Sequence, residues 1–199
     1  MLLFVRERLA VLAVPKTGST ALAAALCDRA DMVVRAPPRL KHVTLRRFRA
    51  RLLPLVEEAG ITGIETAAVI REPEDWLRSW YRYRQRPALD GKPTSTRGIG
   101  FDAFVRAYLA ETRPPWADLG SQARFVAPGR DGRGVDHLFR HDDPDALIAF
   151  LESRLGGPIT LPRSNRSPVM DTALSRETRA MLRTARAEDF LLYEALAAP

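Results

Sequence analysis

Two stretches of this chain pair a cation with a strand end and a helix start, an arrangement that suits a bound anion. The first is AVPKTGSTALAAAL, Ala13–Leu26, where Lys16, Thr17, Gly18, Ser19 and Thr20 interrupt an otherwise apolar run. RLAVLAV before it, Arg8–Val14, reads as a buried strand, and TALAAALC after it consists of strong helix formers. A strand, a tight polar turn and a helix present backbone N–H groups and a helix N-terminus together. Free donors and the helix dipole both favour an anion there, and Lys16 adds a full positive charge. The second stretch is AVIREPEDWLRSWYRYR. Arg71 follows a strand, Pro73 opens a helix, and Ser79 comes eight residues after Arg71. Open α/β sheets place their ligands at the carboxyl ends of strands, where Arg71 falls.

Lysine is scarce, which sharpens the first reading. Of 31 basic residues only Lys16, Lys41 and Lys92 are lysines, and two of these stand in the polar turn and in LKHVTL. A lysine is a compact point charge on a flexible stem, whereas an arginine is a planar fork. The formal net charge of +7 and pI near 10.3 favour anionic ligands. The basic residues are nevertheless scattered among acids. The one dense cluster, LRRFRAR within Leu45–Arg51, reads as the solvated face of a helix, so nucleic acid is not the expected partner.

The elements that must hold these residues alternate. Residues 2–5 form an apolar run that reads as an edge strand leading into residues 8–14. A helix over Thr20–Asp28 and a strand-like MVVR follow. Thr44–Ala59 reads as a helix with Phe48, Leu52, Leu55 and Val56 at helical spacing, and Glu65–Ile70 as a buried strand. Beyond the Pro73 helix, Arg86–Gly100 is loop and FDAFVRAYLAE is helix. RFVAP and VDHLFR read as strands, DPDALIAFLESRLG as a helix, and Ser175–Ala198 as a closing helix. The pattern predicts an α/β fold with a largely parallel sheet, and 199 residues fit one domain, 1–199. No apolar run is long enough to span a membrane. The charged start of MLLFVRERL argues against a signal peptide, and the single Cys27 fits a reducing, cytoplasmic setting.

The first turn is not a Walker sequence. Its lysine precedes the glycine, the leading glycine is missing, and GK[ST] occurs nowhere in the chain. V-P-K-T-G-S-T after a strand instead resembles the 5′-phosphosulfate loop of sulfotransferases that use 3′-phosphoadenosine 5′-phosphosulfate (PAPS). V-I-R-E-P with Ser79 eight residues after Arg71 resembles their 3′-phosphate motif. VDHLFRHDD and LPRSNRSP look like later parts of bacterial and carbohydrate-type members, where Asn165 and Ser167 match a pattern of unassigned role. The resemblance implies a three-layer, P-loop-like fold with a central, mainly parallel sheet flanked by helices. It implies PAPS as sulfuryl donor, held by Lys16, Thr17, Gly18, Ser19, Thr20, Arg71 and Ser79, and no metal.

The physical requirements agree with that resemblance. PAPS carries anions at two separate points, and transfer of its sulfuryl group puts charge on the bridging oxygen, which Lys16 is placed to stabilise. A hydroxyl or amine acceptor must lose a proton, and histidine is the commonest base. His42 of LKHVTL stands where related enzymes carry a histidine bearing on the acceptor, and Lys41 is placed to support either substrate. His137 and His141 belong to a strand and its exit, where structural roles are expected, and Glu65 is the second candidate base. Trp76, Trp80 and Tyr83 read as a core face of their helix. The acceptor, a small or carbohydrate-like molecule, and the oligomeric state stay open. The alternatives are a kinase-like P-loop phosphotransferase and a non-catalytic nucleotide- or nucleic-acid-binding module.

Overall fold

The computed structural model describes residues 1–129, 131–162 and 170–196; Asn165 and Ser167 lie outside them. In chain order come β1 (Leu2–Phe4), β2 (Leu9–Leu12), α1 (Ser19–Leu26), β3 (Met32–Val33), α2 (Pro38–Lys41) and α3 (Leu45–Arg47). A π-helical turn, Phe48–Leu52, leads into α4 (Leu53–Glu58) and β4 (Glu65–Ile70). Then follow α5 (Pro73–Arg84), a 3-10 turn at Pro87–Leu89, α6 (Phe101–Leu109), α7 (Gln122–Val126) and β5 (His137–Arg140). The helices α8 (Pro144–Leu155), α9 (Arg176–Ala185) and α10 (Ala187–Glu194) complete the fold. These elements fall into two compact units. One is built from Met1–Arg71 and the segment that begins at Gln122, the other from Glu72–Ser121 and the described residues from Met170 onward.

The first unit carries an open five-stranded sheet in the order β3-β1-β2-β4-β5. It is mixed rather than mainly parallel. β1 pairs antiparallel with β2 and with β3, whereas β2–β4 and β4–β5 are parallel. The tight turn after β1 is the cause, since two strands joined by a few residues can only run antiparallel. β1 is thus an inner strand, and β3, not β1, takes the edge. On one face Leu2, Phe4, Leu9, Val11, Ala67 and Val69 pack with Leu22 and Leu26 of α1 and Leu147 and Leu151 of α8. Alternate residues Leu3, Ala10, Leu12, Ala68 and Ile70 are buried as well, so both faces are covered and the strands read as continuous apolar runs.

RFVAP is not a strand. Gln122, Phe125 and Val126 are buried at positions i, i+3 and i+4, the spacing of one helical face, and they form α7. The second unit is helical among its described residues. Trp76, Leu77 and Tyr81 of α5 pack with Phe101, Phe104, Val105 and Tyr108 of α6, and with Leu182 of α9 and Phe190 of α10. The closing helix is two helices, because Arg186 leaves helical geometry at φ −126°, ψ 31° between α9 and α10. Its guanidinium lies over the Tyr108 ring, 4.6 Å from the centroid.

Candidate functional site

The turn after β2 is strained where an anion would meet it. Lys16 has φ 68° and Gly18 has φ 81°, both left-handed, on either side of Thr17. For a residue with a Cβ that conformation costs about 1–2 kcal/mol, and such outliers concentrate at functional sites. A Cβ built on Gly18 would meet nothing within 4 Å, so the dihedral and not the available space calls for glycine. Gly18 is also the N-cap of α1 and, among the described residues, no side chain caps that helix; the backbone bond from Leu22 N–H to the Gly18 carbonyl is 3.1 Å. Left-handed residues in a turn that feeds an uncapped helix start form a concavity of N–H groups suited to oxyanions. Thr17 is buried and its hydroxyl donates to the Val14 carbonyl at 2.9 Å, which ties the turn to the strand end. Lys41 Nζ donates to Thr20 Oγ1 at 3.0 Å, bringing a second lysine to the first turn of α1.

Arg71 reaches the same turn. β2 and β4 are adjacent and parallel, so their carboxyl ends share one edge, and the Arg71 guanidinium donates to the Lys16 carbonyl at 3.3 Å. The connection after β2 leads past β1 to β3, while that after β4 leads to β5 on the other side. The gap between β2 and β4 is therefore the point where the winding reverses, and open α/β sheets bind ligands there. The backbone of Arg71, one residue past the ladder, is held by a side chain. Its N–H donates to Gln122 Oε1 at 2.9 Å, and its carbonyl accepts from Gln122 Nε2 at 2.7 Å. Sequence reasoning missed Gln122, because a single glutamine beside a presumed strand carries no pattern.

His42 stands at the same edge. Its Nδ1 lies 2.7 Å from the Ala13 carbonyl, which can only accept, so Nδ1 carries the proton. In the neutral ring the lone pair is then on Nε2. Burial lowers the pKa below the ordinary 6.5. The bond to Ala13 opposes that shift, while Lys41, the Met1 amino group and Lys16 add to it. At neutral pH the ring is uncharged with one nitrogen free to accept a proton, the state a general base needs.

Glu65, the second candidate base, is at the other end of the sheet. It begins β4 while Arg71 follows its end, roughly 20 Å away at ~3.3 Å per residue. Its carboxylate accepts from His137 Nε2 at 2.7 Å and from Arg154, and both contacts hold its pKa down. His137 is thereby structural, and the His141 N–H donates to the Ile70 carbonyl at 2.7 Å. In LRRFRAR, Arg46, Arg47 and Arg51 are exposed as a solvated face requires. Arg49 instead turns inward to Asp131, Asp136 and the Gly134 carbonyl. Ser79 belongs to α5 in the other unit and is buried there. In that unit Trp76 lies in the core, and Trp80 packs against it edge-on at 6.1 Å. No group of His, Cys, Asp and Glu that could hold a metal occurs among the described residues. No described helix is long and apolar enough to cross a membrane.

The edge therefore gathers a strained cationic turn, a second lysine, a fixed arginine and a neutral histidine. Comparison of the chain with models of protein families, with characterised proteins and with solved structures finds no match.

Proposed function

We propose that the protein is a PAPS-dependent sulfotransferase of P-loop-like, three-layer α/β type. The observation that supports this reading is the contact of Arg71 with the carbonyl of Lys16, which brings the arginine of the second motif to the turn of the first at adjacent strand ends. One nucleotide with phosphates at two positions needs such a pair. The turn over Lys16–Thr20 takes the 5′-phosphosulfate and Arg71 the 3′-phosphate.

Transfer then runs as an in-line displacement. The acceptor oxygen or nitrogen forms a bond to sulfur, and the bond from sulfur to the bridging oxygen breaks. That oxygen keeps the electron pair and leaves as part of 3′-phosphoadenosine 5′-phosphate. His42 Nε2 receives the acceptor proton, and Lys16 stabilises the charge that grows on the leaving oxygen. A cation of this kind does the work that a metal performs in phosphoryl transfer.

Thermal unfolding with nucleotides tests the reading. Stabilisation by 3′-phosphoadenosine 5′-phosphate, and not by ATP with magnesium, is the expected result. The reverse preference would favour a phosphotransferase. Steeply salt-dependent binding of DNA of any sequence, with neither nucleotide bound, would favour a nucleic-acid module. An acceptor screen with labelled PAPS completes the test by detecting the transferred sulfuryl group.

A further inference from the structure

We infer that Gln122 is a positioning residue that makes the site selective for a 3′-phosphorylated nucleotide by fixing the direction of Arg71. The inference rests on the reading of Arg71 as the 3′-phosphate ligand. Arg71 is the first residue beyond the β4–β5 ladder, whose last pair is Ile70 with Arg140. A backbone that leaves a sheet into a buried place must find partners for its N–H and C=O. Here both go to one side chain. Gln122 Oε1 accepts from the Arg71 N–H at 2.9 Å, and Gln122 Nε2 donates to the Arg71 carbonyl at 2.7 Å. The amide acts as one more rung of the sheet.

Three features make this more than a local tie. Gln122 is only 3% exposed, so its own amide is shielded from water. Its orientation is unambiguous, because a flipped amide would set N–H against N–H and C=O against C=O. Gln122 is also the residue at which the chain re-enters the sheet unit that it leaves after Arg71. The pair thus pins both crossings of the chain at the strand end from which Arg71 projects. Two points of the Arg71 backbone are fixed by Gln122 and its guanidinium is steadied on the Lys16 carbonyl, so little freedom is left to lose on meeting a phosphate. Of the common side chains only an amide offers a donor and an acceptor on two separate atoms while uncharged at every pH.

Affinities of wild type, Gln122→Met and Gln122→Ser for 3′-phosphoadenosine 5′-phosphate and for 5′-AMP, measured by calorimetry, test the assignment. Methionine keeps the volume without the polar ends. Serine admits a water and so keeps the fold should methionine fail to. In both variants the affinity for the 3′-phosphorylated nucleotide should fall roughly five- to tenfold while that for 5′-AMP stays within twofold. A selectivity ratio unchanged from wild type would overturn the role of Gln122 and leave the function reading intact. Equal loss for both nucleotides would also overturn it, since that is the mark of general structural damage. A wild type that does not prefer the 3′-phosphorylated nucleotide would overturn the reading of Arg71 itself, and the inference with it.

Discussion

Lys16 has two attributes that substitution can separate, a backbone held at φ 68° and a charged side chain. Replacing it by alanine and by glycine removes the side chain in both cases, so the difference between the two variants reports the backbone alone. Alanine keeps the left-handed cost of about 1–2 kcal/mol, which glycine does not have. Glycine loses more conformational freedom on folding, about 0.5–1 kcal/mol. The balance favours Lys16→Gly over Lys16→Ala by about 0.5–1 kcal/mol. A chain of this size shifts its melting temperature by about 2–4 °C per kcal/mol, so glycine should melt about 1–4 °C above alanine. Turnover should not follow stability. Both variants should lose transfer at saturating PAPS by roughly 10²–10³-fold, the usual effect of deleting one donor to a developing oxyanion. Lys16→Arg should recover little, because a wide fork replaces a point donor in a tight turn. Calorimetric melting and single-turnover transfer of labelled sulfuryl groups read the two quantities. A glycine variant that melts at or below the alanine variant would refute the strain. Normal saturated turnover in either would reduce the turn to a nucleotide grip and remove the main support for sulfuryl transfer.

Arg71→Ala should weaken binding of 3′-phosphoadenosine 5′-phosphate roughly tenfold or more and spare 5′-AMP, as loss of one charge-assisted contact requires; competition binding reads this directly. His42→Ala should leave nucleotide affinity unchanged and slow transfer to a hydroxyl on the order of a hundredfold. As the proposed base, His42 would act as the neutral ring, and in wild type its pKa is lowered. The rate should therefore rise with pH along a limb centred below 6.5 and be level by neutrality, and a pH–rate profile of the alanine variant should lack that limb. In the helical unit, the Asp102 carboxylate accepts from the Ser175 N–H, Thr178 Oγ1 and Arg106 Nε, each at 2.9 Å. These contacts, the Ser175 N–H first, hold its pKa well below the usual carboxylate range. A depressed folded-state pKa contributes stability above the unfolded value of about 4 that is lost as the pH falls below it. Asp102→Asn should lower the denaturation midpoint at pH 7 and change less between pH 7 and pH 3 than wild type does.

The features legible in the sequence were those that local physics decides. Glu65–Ile70 is a buried apolar run ended by the Arg-Glu-Pro break, and β4 has those bounds. The polar turn was legible because Lys, Gly and three hydroxyls have no reason to stand between a buried strand and an apolar, helix-forming run. The left-handed geometry at Lys16 was not, since lysine gives no sign of it. Thr44–Ala59 shows how a regular pattern misleads. Phe48 and Val56 are buried as the spacing requires, but Leu55 is 60% exposed. The π-helical turn at Phe48–Leu52 adds a residue to one turn and rotates α4 about the helix axis, so the stripe loses its phase. Gln122 and the Ala13 partner of His42 depend on contacts between residues 51 and 29 positions apart, which periodicity does not encode.

The division between lysine and arginine follows the chemistry proposed for each position. The chain uses arginine nearly everywhere, so Lys16 in the turn before α1 and Lys41 at its first turn depart from its own habit. A phosphate that is bound and stays bound presents several oxygens at fixed places. A planar fork anchored at its backbone, as Arg71 is by Gln122, matches such a target with little loss of freedom. The charge that appears during transfer is different, because it grows on one oxygen as one bond breaks. A point charge on a short-range tether tracks that atom, and a fork spreads its donors past it. The left-handed backbone at Lys16 turns the side-chain base in a direction a right-handed residue would not. The same cations help to keep His42 neutral, so in the proposed reaction the residues that would draw the donor nucleotide in would also hold the base in its accepting form.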